Sequence, residues 1–384
     1  MMSEIDPVKL TADLIKCPSV TPDEGGAIAL IEDLLKKNGF SCYRISRGGV
    51  ENLFARWGSG EFGNSFAYNG HTDVVPVGNS KSWSVDPFGA EVKSGYLFGR
   101  GATDMKSSVA AFVSAAIDFV AKNPPSGSIV ITITGDEEGE AKNGTSAILD
   151  WMRENDEKIS HCLVGEPTCP EYLGEMVKIG RRGSVTAKFC VKGLQGHTAY
   201  PALAVNPLNA LVRLMDALTK ESLDNGSEHF DPSTLAITTI DTGNTASNVI
   251  PEKATAKVNI RFNDHHTGES ISSWLEKTSI VISKETGTEI TVDTHITGES
   301  FVTVPGYLSD IVCESIQQEL GVKPVLSTTG GTSDARFIKN VCPVVEFGLV
   351  GKTMHAIDER VDISQIRDLK KVYIRILENY FAEI

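Results

Sequence analysis

The stretch SIVITITGDEEGEAKNG, residues 128–144, runs from Ser128 to Thr134 as isoleucine, valine and threonine, then breaks into Asp136, Glu137 and Glu138. β-Branched residues in such a run favour a buried strand. Three adjacent carboxylates where that strand leaves the core repel one another, which raises their pKa values and costs free energy unless positive charge stands among them. A cation resolves the conflict, whereas a solvated acidic turn is the plainer reading of these three residues taken alone. The rest of the chain has to decide between them.

Working outward, Ile28, Leu30, Ile31, Leu34 and Leu35 recur at helical spacing, with Gly39 as the stop. Residues 51–58 (ENLFARWG) and 64–73 (NSFAYNGHTD) read as strands joined by a tight turn. Residues 107–123 and 144–155 read as helices, and 161–167 as a strand. Strands alternating with helices predict an α/β fold with a mostly parallel sheet covered on both faces, its function gathered beyond the carboxyl ends of the strands. The segment GSGEFG, Gly58 to Gly63, fits a dinucleotide-binding fingerprint, but a strand-like segment follows where that fingerprint requires a helix, so it is read as a hairpin turn.

From Gly183 to Ile296 the rhythm changes. Strand (184–191), helix (205–220), two strands (234–241 and 254–263), helix (269–285) and strand (289–295) follow in order, a ferredoxin-like βαββαβ unit. Residues 306–321, 342–348 and 363–384 then resume helix, strand, helix. The expected organisation is one α/β domain, 1–182 and 297–384, interrupted by an inserted domain, 183–296.

With 384 residues, 41% hydrophobic and 22% charged, the chain suits two domains that fold without disulfides. Its formal charge of -14 repels polyanions, so nucleic acid and anionic membrane surfaces are excluded as partners. No apolar run approaches the ~20 residues of a membrane span, and the start lacks a basic-then-apolar leader, so the expected location is cytoplasmic. The seven cysteines are scattered without a CxxC pair and read as reduced residues. Asn143 and Asn225 head Asn-X-Ser/Thr triplets that a cytoplasmic chain leaves unmodified.

Polar groups stand at the ends of the apolar strands. His71 and Asp73 are two apart, so on an extended chain they share a face. Asp104 lies at the mouth of the long helix, where an N-cap is the plain reading. Glu137 and Glu138 follow one strand, Glu166 another, and His355 a third. Two imidazoles and three carboxylates, without sulfur, suit zinc, manganese or cobalt. They are too many for one catalytic zinc with its three protein ligands, and two ions sharing one carboxylate fit the count.

As spaced, these blocks resemble the co-catalytic zinc peptidases and deacylases. The resemblance runs through PSVTPDEGGA, NGHTDVVPVGN, WSVDPFGAEVKSGYLFGRGATDMKSS, GDEEGEAKNGT, CLVGEPT, GRRGSVTAKFCVKGLQGHTAYPALAVNP, NVIPEKATAKVNIRF, TTGGTSDARFI and FGLVGKTMHAIDERV, in order over essentially the whole chain. It implies a zinc-exopeptidase-like domain holding two Zn2+ per subunit, with Co2+ or Mn2+ as alternatives at one site. Asp104 would bridge, His71 and Glu166 would complete one site, and Glu138 and His355 the other. Glu137 would be the general base and Asp73 would orient His71, while Asp136 stays structural. The inserted domain would be a dimerisation and lid element that brings His197 to the partner subunit's oxyanion. Arg181, Ser184, Tyr200, Asn248, Arg261, Gly331, Thr332 and Ser333 match positions that grip the substrate. Arginine forks suit carboxylates, so Arg181, Arg261 and the GGTS loop favour a doubly anionic N-acyl amino acid over a singly charged one. Relatives usually carry other residues at Ala202, Ser247 and Ala356, none of them a ligand. A metal-free binding protein on the same fold is the rival of another class; the full ligand set and Glu137 argue against it.

Overall fold

The computed structural model describes residues 4–59, 64–220 and 222–382. The chain divides into two compact units. Unit 1 runs up to Ile179 and takes in Thr303–Ser327 and the chain from Ser333, and unit 2 comprises Gly180–Val302 with Thr328–Thr332. Gly180 and Arg181 pair antiparallel with Val302 and Phe301, which draws both short segments into unit 2.

In chain order the sheet strands are β1 (Ser41–Arg47), β2 (Val50–Trp57), β3 (Ser65–His71), β4 (Ser128–Thr134), β5 (His161–Val164) and β6 (Met176–Lys178) in unit 1. Unit 2 contributes β7 (Gly183–Lys192), β8 (Thr234–Asp241), β9 (Lys253–Phe262) and β10 (Glu289–Gly298). The chain returns to unit 1 with β11 (Val325–Ser327) and β12 (Val344–Glu346). The helices are α1 (Pro7–Ile15), α2 (Ala27–Lys37), α3 (Ser107–Lys122), α4 (Thr145–Glu154), α5 (Pro207–Thr219), α6 (Gly268–Thr286), α7 (Tyr307–Leu320), α8 (Ala335–Ile338) and α9 (Ile363–Ala382).

The sheet of unit 1 has the order β1-β2-β4-β3-β5-β12-β6-β11. The joins β4/β3, β3/β5, β5/β12 and β6/β11 are parallel, and β1/β2, β2/β4 and β12/β6 antiparallel. One expectation fails here. β4 lies between β2 and β3, so these two strands are not hairpin partners; the turn residues 60–63 lie outside the described residues. The chain reaches β4, parallel to β3, through α3, the long crossover that a parallel pair requires.

Every residue of β3 and β4 is buried. Their register puts His71 opposite Thr134, so the segments that continue from them leave the sheet side by side. Asn69 faces Val164, which brings Gly165 and Glu166 out beside them. At Gly165 a Cβ would sit 2.0 Å from the Tyr68 hydroxyl, so only glycine lets this strand end approach so closely. Under the sheet, α3 is buried along nearly its whole length. Phe112 stacks on Tyr68 at 4.2 Å between centroids and meets Tyr373 of α9 edge-on at 5.4 Å. That aromatic group fixes the helix beneath the strand ends.

Unit 2 has the sheet order β8-β9-β7-β10, all antiparallel, with α5 and α6 as its two helices, the ferredoxin-like arrangement. Val185, Phe189, Leu211, Leu214, Val258, Phe262, Ile271 and Leu275 share one core. The edge strand β8 leaves Ile237 and Ile240 exposed. Asp224 anchors the loop before β8, accepting from Gly226 N at 2.8 Å, Ser233 N at 3.1 Å, Asn263 Nδ2 at 2.6 Å and His266 Nε2 at 3.0 Å. Burial opposes its ionisation, but the hydrogen bonds from Ser233, Gly226 and Asn263 prevail and hold its carboxyl well below the usual range. A depressed folded pKa contributes stability above the unfolded value and loses it as pH falls through the folded one. Asp224→Asn therefore destabilises the protein by about 1–3 kcal/mol near neutrality. The gap to wild type narrows below about pH 4, measured as the urea midpoint across a pH series.

Candidate metal centre

The carboxyl edge of the unit 1 sheet gathers the polar residues singled out in the sequence. His71 ends β3, and its Nδ1 donates to the carbonyl oxygen of Asp73 at 2.9 Å. That bond turns Nε2 outward, the nitrogen that carries the lone pair when the ring is neutral. Nε2 lies 3.2 Å from Asp104 Oδ1 and 3.8 Å from Glu166 Oε1. On the other side, His355 Nε2 lies 3.3 Å from Asp104 Oδ2 and 2.8 Å from Glu138 Oε1. Asp104 thus divides its two oxygens between two imidazoles, each of which has a second carboxylate.

The electrostatics report a shortage of positive charge. Burial pushes Asp73 up to about 6 against the pull of His71 and two backbone N–H groups. Burial and then Glu166 push Glu137 well above the usual carboxylate range. The imidazoles respond in the opposite sense. Hydrogen bonds to Asp104 and Glu138 raise His355 to about 10. Burial works against His71, yet Asp104 raises it well above its ordinary value. Protonated imidazoles here supply the positive charge that the carboxylates need; a pair of divalent cations would supply it with the rings neutral.

The donor chemistry fits such ions. Ligand atoms of His71, Asp104 and Glu138, and of His71, Glu137 and Glu166, lie within 4.8 Å of one another, and no cysteine is among them. This nitrogen and oxygen set suits zinc, cobalt or manganese. Glu138 lies 2.8 Å from His355 and also groups with His71 and Asp104, whereas Glu137 groups with Glu166 and His71.

Asp73 meets His71 chiefly through its backbone: the main-chain carbonyl holds Nδ1, while Oδ1 stands 3.7 Å from the same nitrogen. The carboxylate accepts the N–H of Glu137 at 3.2 Å and of Glu138 at 3.0 Å. The same-face argument applies to an extended chain, and β3 ends at His71. Asp73 therefore sets the backbone that carries the two glutamates. Asp136 closes the same loop, accepting from Lys142 N and Asn143 N, each at 2.9 Å.

Ser333 is buried in unit 1, and its hydroxyl donates to Glu346 Oε1 at 2.8 Å. Within unit 2, Arg181 donates to the carbonyl of Gly331 at 3.2 Å, in the segment that includes Thr332. Arg261 Nε donates to Asn259 Oδ1 at 3.1 Å, and Asn259 Nδ2 reaches Thr186 Oγ1 at 3.0 Å and Ser184 Oγ at 3.4 Å. Asn259 is a partner that sequence reasoning missed, for its place two residues before Arg261 on a strand carries no motif. His197 is exposed, its Nδ1 accepts from Ala199 N at 3.0 Å, and its ring centroid is 5.7 Å from that of the exposed Tyr200. Asn248 is also exposed, and its carbonyl accepts from Thr198 N at 3.1 Å.

The chain is similar to known proteins over nearly its whole length. A model of the peptidase family M20/M25/M40 matches residues 67–379. A succinyl-diaminopimelate desuccinylase of Cereibacter sphaeroides is 61% identical over 378 residues, covering 98% of this chain and all of that protein. Succinyl-diaminopimelate desuccinylase 1 of a Ruegeria species is 61% identical over 381 residues, 99% of this chain and all of its own length. Among solved structures, an aminopeptidase from Bacillus cereus is similar at a TM-score of 0.81 and 17% identity, with 98% of this chain and 99% of that one covered. A dinuclear metal-binding peptidase of the M20 family from Bacillus subtilis is similar at a TM-score of 0.74 and 14% identity, with 98% of each chain covered. At these identities the solved structures speak to the fold alone.

Proposed function

The chain belongs to the peptidase family M20/M25/M40, and on that premise we propose that it is a two-metal amidohydrolase cleaving N-succinyl-LL-2,6-diaminopimelate to succinate and LL-2,6-diaminopimelate, a step of lysine biosynthesis. The observation that carries the chemistry is Asp104, with one oxygen on His71 and the other on His355. The substrate is supported by 61% identity to a desuccinylase along 98% of the chain.

In this reading His71, Asp104 and Glu166 hold one cation, and Asp104, Glu138 and His355 the other; zinc suits both, and cobalt or manganese can replace it at one. When bound, such a pair supplies Lewis acidity and makes water acidic enough to ionise near neutral pH. The residues of the chain do the rest. Glu137, held by its backbone N–H on Asp73, takes a proton from the attacking water and delivers it to the leaving nitrogen as the C–N bond breaks. Succinate leaves as the acid fragment and the free amine as the other. Arg181 and Arg261 bind the substrate's carboxylates, and Asn259 keeps the Arg261 fork aimed. Ser184, Tyr200, Asn248, Gly331, Thr332 and Ser333 complete the proposed substrate contacts.

An acetylornithine deacetylase or another N-acyl-amino-acid hydrolase would use the same five ligands. Side-by-side assays with succinyl-diaminopimelate and acetylornithine should give the larger kcat/KM for the succinyl substrate. A preference for acetylornithine would overturn the assignment.

The proposed active form is a homodimer. Strand β8 is an edge strand with exposed Ile237 and Ile240, a surface that a copy of itself would cover around a two-fold axis. His197, exposed in the same unit, then supplies the N–H that meets the partner subunit's developing oxyanion. Mixing inactive His197→Ala with inactive Glu137→Gln, with subunit exchange verified, should restore about half of wild-type activity per heterodimer, because one site then carries neither lesion. A mixture that stays inactive despite exchange would show that the histidine serves its own chain.

A further inference from the structure

Arg100 and Glu359 form a buried ion pair that none of the chemistry above uses. Arg100 is 2% exposed and Glu359 fully buried, with 2.7 Å between Nη1 and Oε2. The carboxylate does more than neutralise the guanidinium. Its Oε1 accepts the backbone N–H of Thr103 at 2.9 Å and of Asp104 at 3.1 Å, and its Oε2 that of Gly101 at 3.1 Å. Three of the four amides from Gly101 to Asp104 therefore converge on one side chain. They belong to the turn that presents the shared aspartate.

The arginine reaches the other way. Nη1 donates to the carbonyl of Ala356 at 3.2 Å, while Nη2 reaches those of His355 and Pro76, each at 3.4 Å. Its Cζ stands 5.2 Å from the centre of the Trp83 ring, which fixes the plane of the fork. The loop it holds is conformationally demanding. His355 has φ 61 and Asp358 φ 58, left-handed values that non-glycine residues adopt only where surrounding contacts enforce them. A further bond ties the two segments, from Gly99 N to the carbonyl of Glu359 at 2.9 Å.

We infer that Arg100 and Glu359 are positioning residues that fix the separation of Asp104 and His355 and thereby tune the two metal sites unequally. Arg100 grips chiefly the His355 loop, through the carbonyls of His355 and Ala356, with one further bond to Pro76 downstream of His71, whereas Glu359 grips the backbone of Asp104, which serves both sites. The inference rests on the two-cation reading and goes beyond it by assigning a separate effect to each partner. Residues behind metal ligands typically change affinity by about 10- to 100-fold when altered.

The test is calorimetric titration of metal-free protein with Zn2+, which reads binding rather than turnover. Wild type should take up two ions; uptake of one would refute the two-cation reading itself, whatever the variants do. Arg100→Lys retains the charge facing Glu359 and loses the fork on the carbonyls of Ala356, His355 and Pro76. It should weaken one binding step about 10- to 100-fold and leave the other within threefold, and the preserved step certifies that the protein is folded. Glu359→Gln should weaken both steps, with circular dichroism matching wild type. Two steps within threefold of wild type in either variant, or an equal loss of both steps in Arg100→Lys with its circular dichroism unchanged, would overturn the inference.

Discussion

The site depends on one constraint: five carboxylate and imidazole groups share a small volume at the end of buried strands, and the charges must balance. Asp104 stands at the centre because its two oxygens face opposite ways, one to His71 and one to His355. Without cations the balance is kept by protonated imidazoles, which is why His355 is raised to about 10 and His71 also rises. Carboxylates farther from an imidazole, such as Glu137, are driven toward their neutral form by burial and by Glu166. Divalent cations would let every carboxylate ionise and every imidazole be neutral, so in the proposed reading the acid cluster that looks unfavourable as a strand end is the condition for binding them.

Strand register converts that constraint into geometry. His71 opposite Thr134 and Asn69 opposite Val164 bring three strand ends to one level. The loops beyond the strand ends are then fixed through their backbone amides rather than by long side chains. Asp73 holds the amides of Glu137 and Glu138, Asp136 those of Lys142 and Asn143, and Glu359 those of Gly101, Thr103 and Asp104. Carboxylates bound by several N–H groups are strong, directional anchors, and here they restrain loops whose own side chains must stay free for ligands.

Much of this is legible in the sequence, for identifiable reasons. The βαββαβ order of unit 2 can be read because β9, and β7 from Val185 onward, alternate and α5 and α6 keep a helical stripe, each over many residues. The proposed metal residues stand out because each is a polar group placed immediately beyond an apolar strand or at the mouth of a helix. The separation of β2 and β3 by β4 cannot, since a short connection says nothing about a later strand inserting between its arms. Strands β6 and β11, each of three residues, are too short to show a period. Glu359 and Arg100 are invisible because a side chain that serves distant backbone amides and carbonyls leaves no spacing signature. The role of Asp73 is hidden for the same reason.

The claim that the acid triplet divides its labour, Glu138 holding a cation and Glu137 moving a proton, is tested most directly by counting metal in purified variants alongside turnover. With labour so divided, Glu137→Gln keeps two ions per subunit while losing about 10²- to 10⁴-fold in kcat, and Glu138→Ala loses an ion. A Glu137→Gln protein short of one ion, or a Glu138→Ala protein that keeps both, would contradict it.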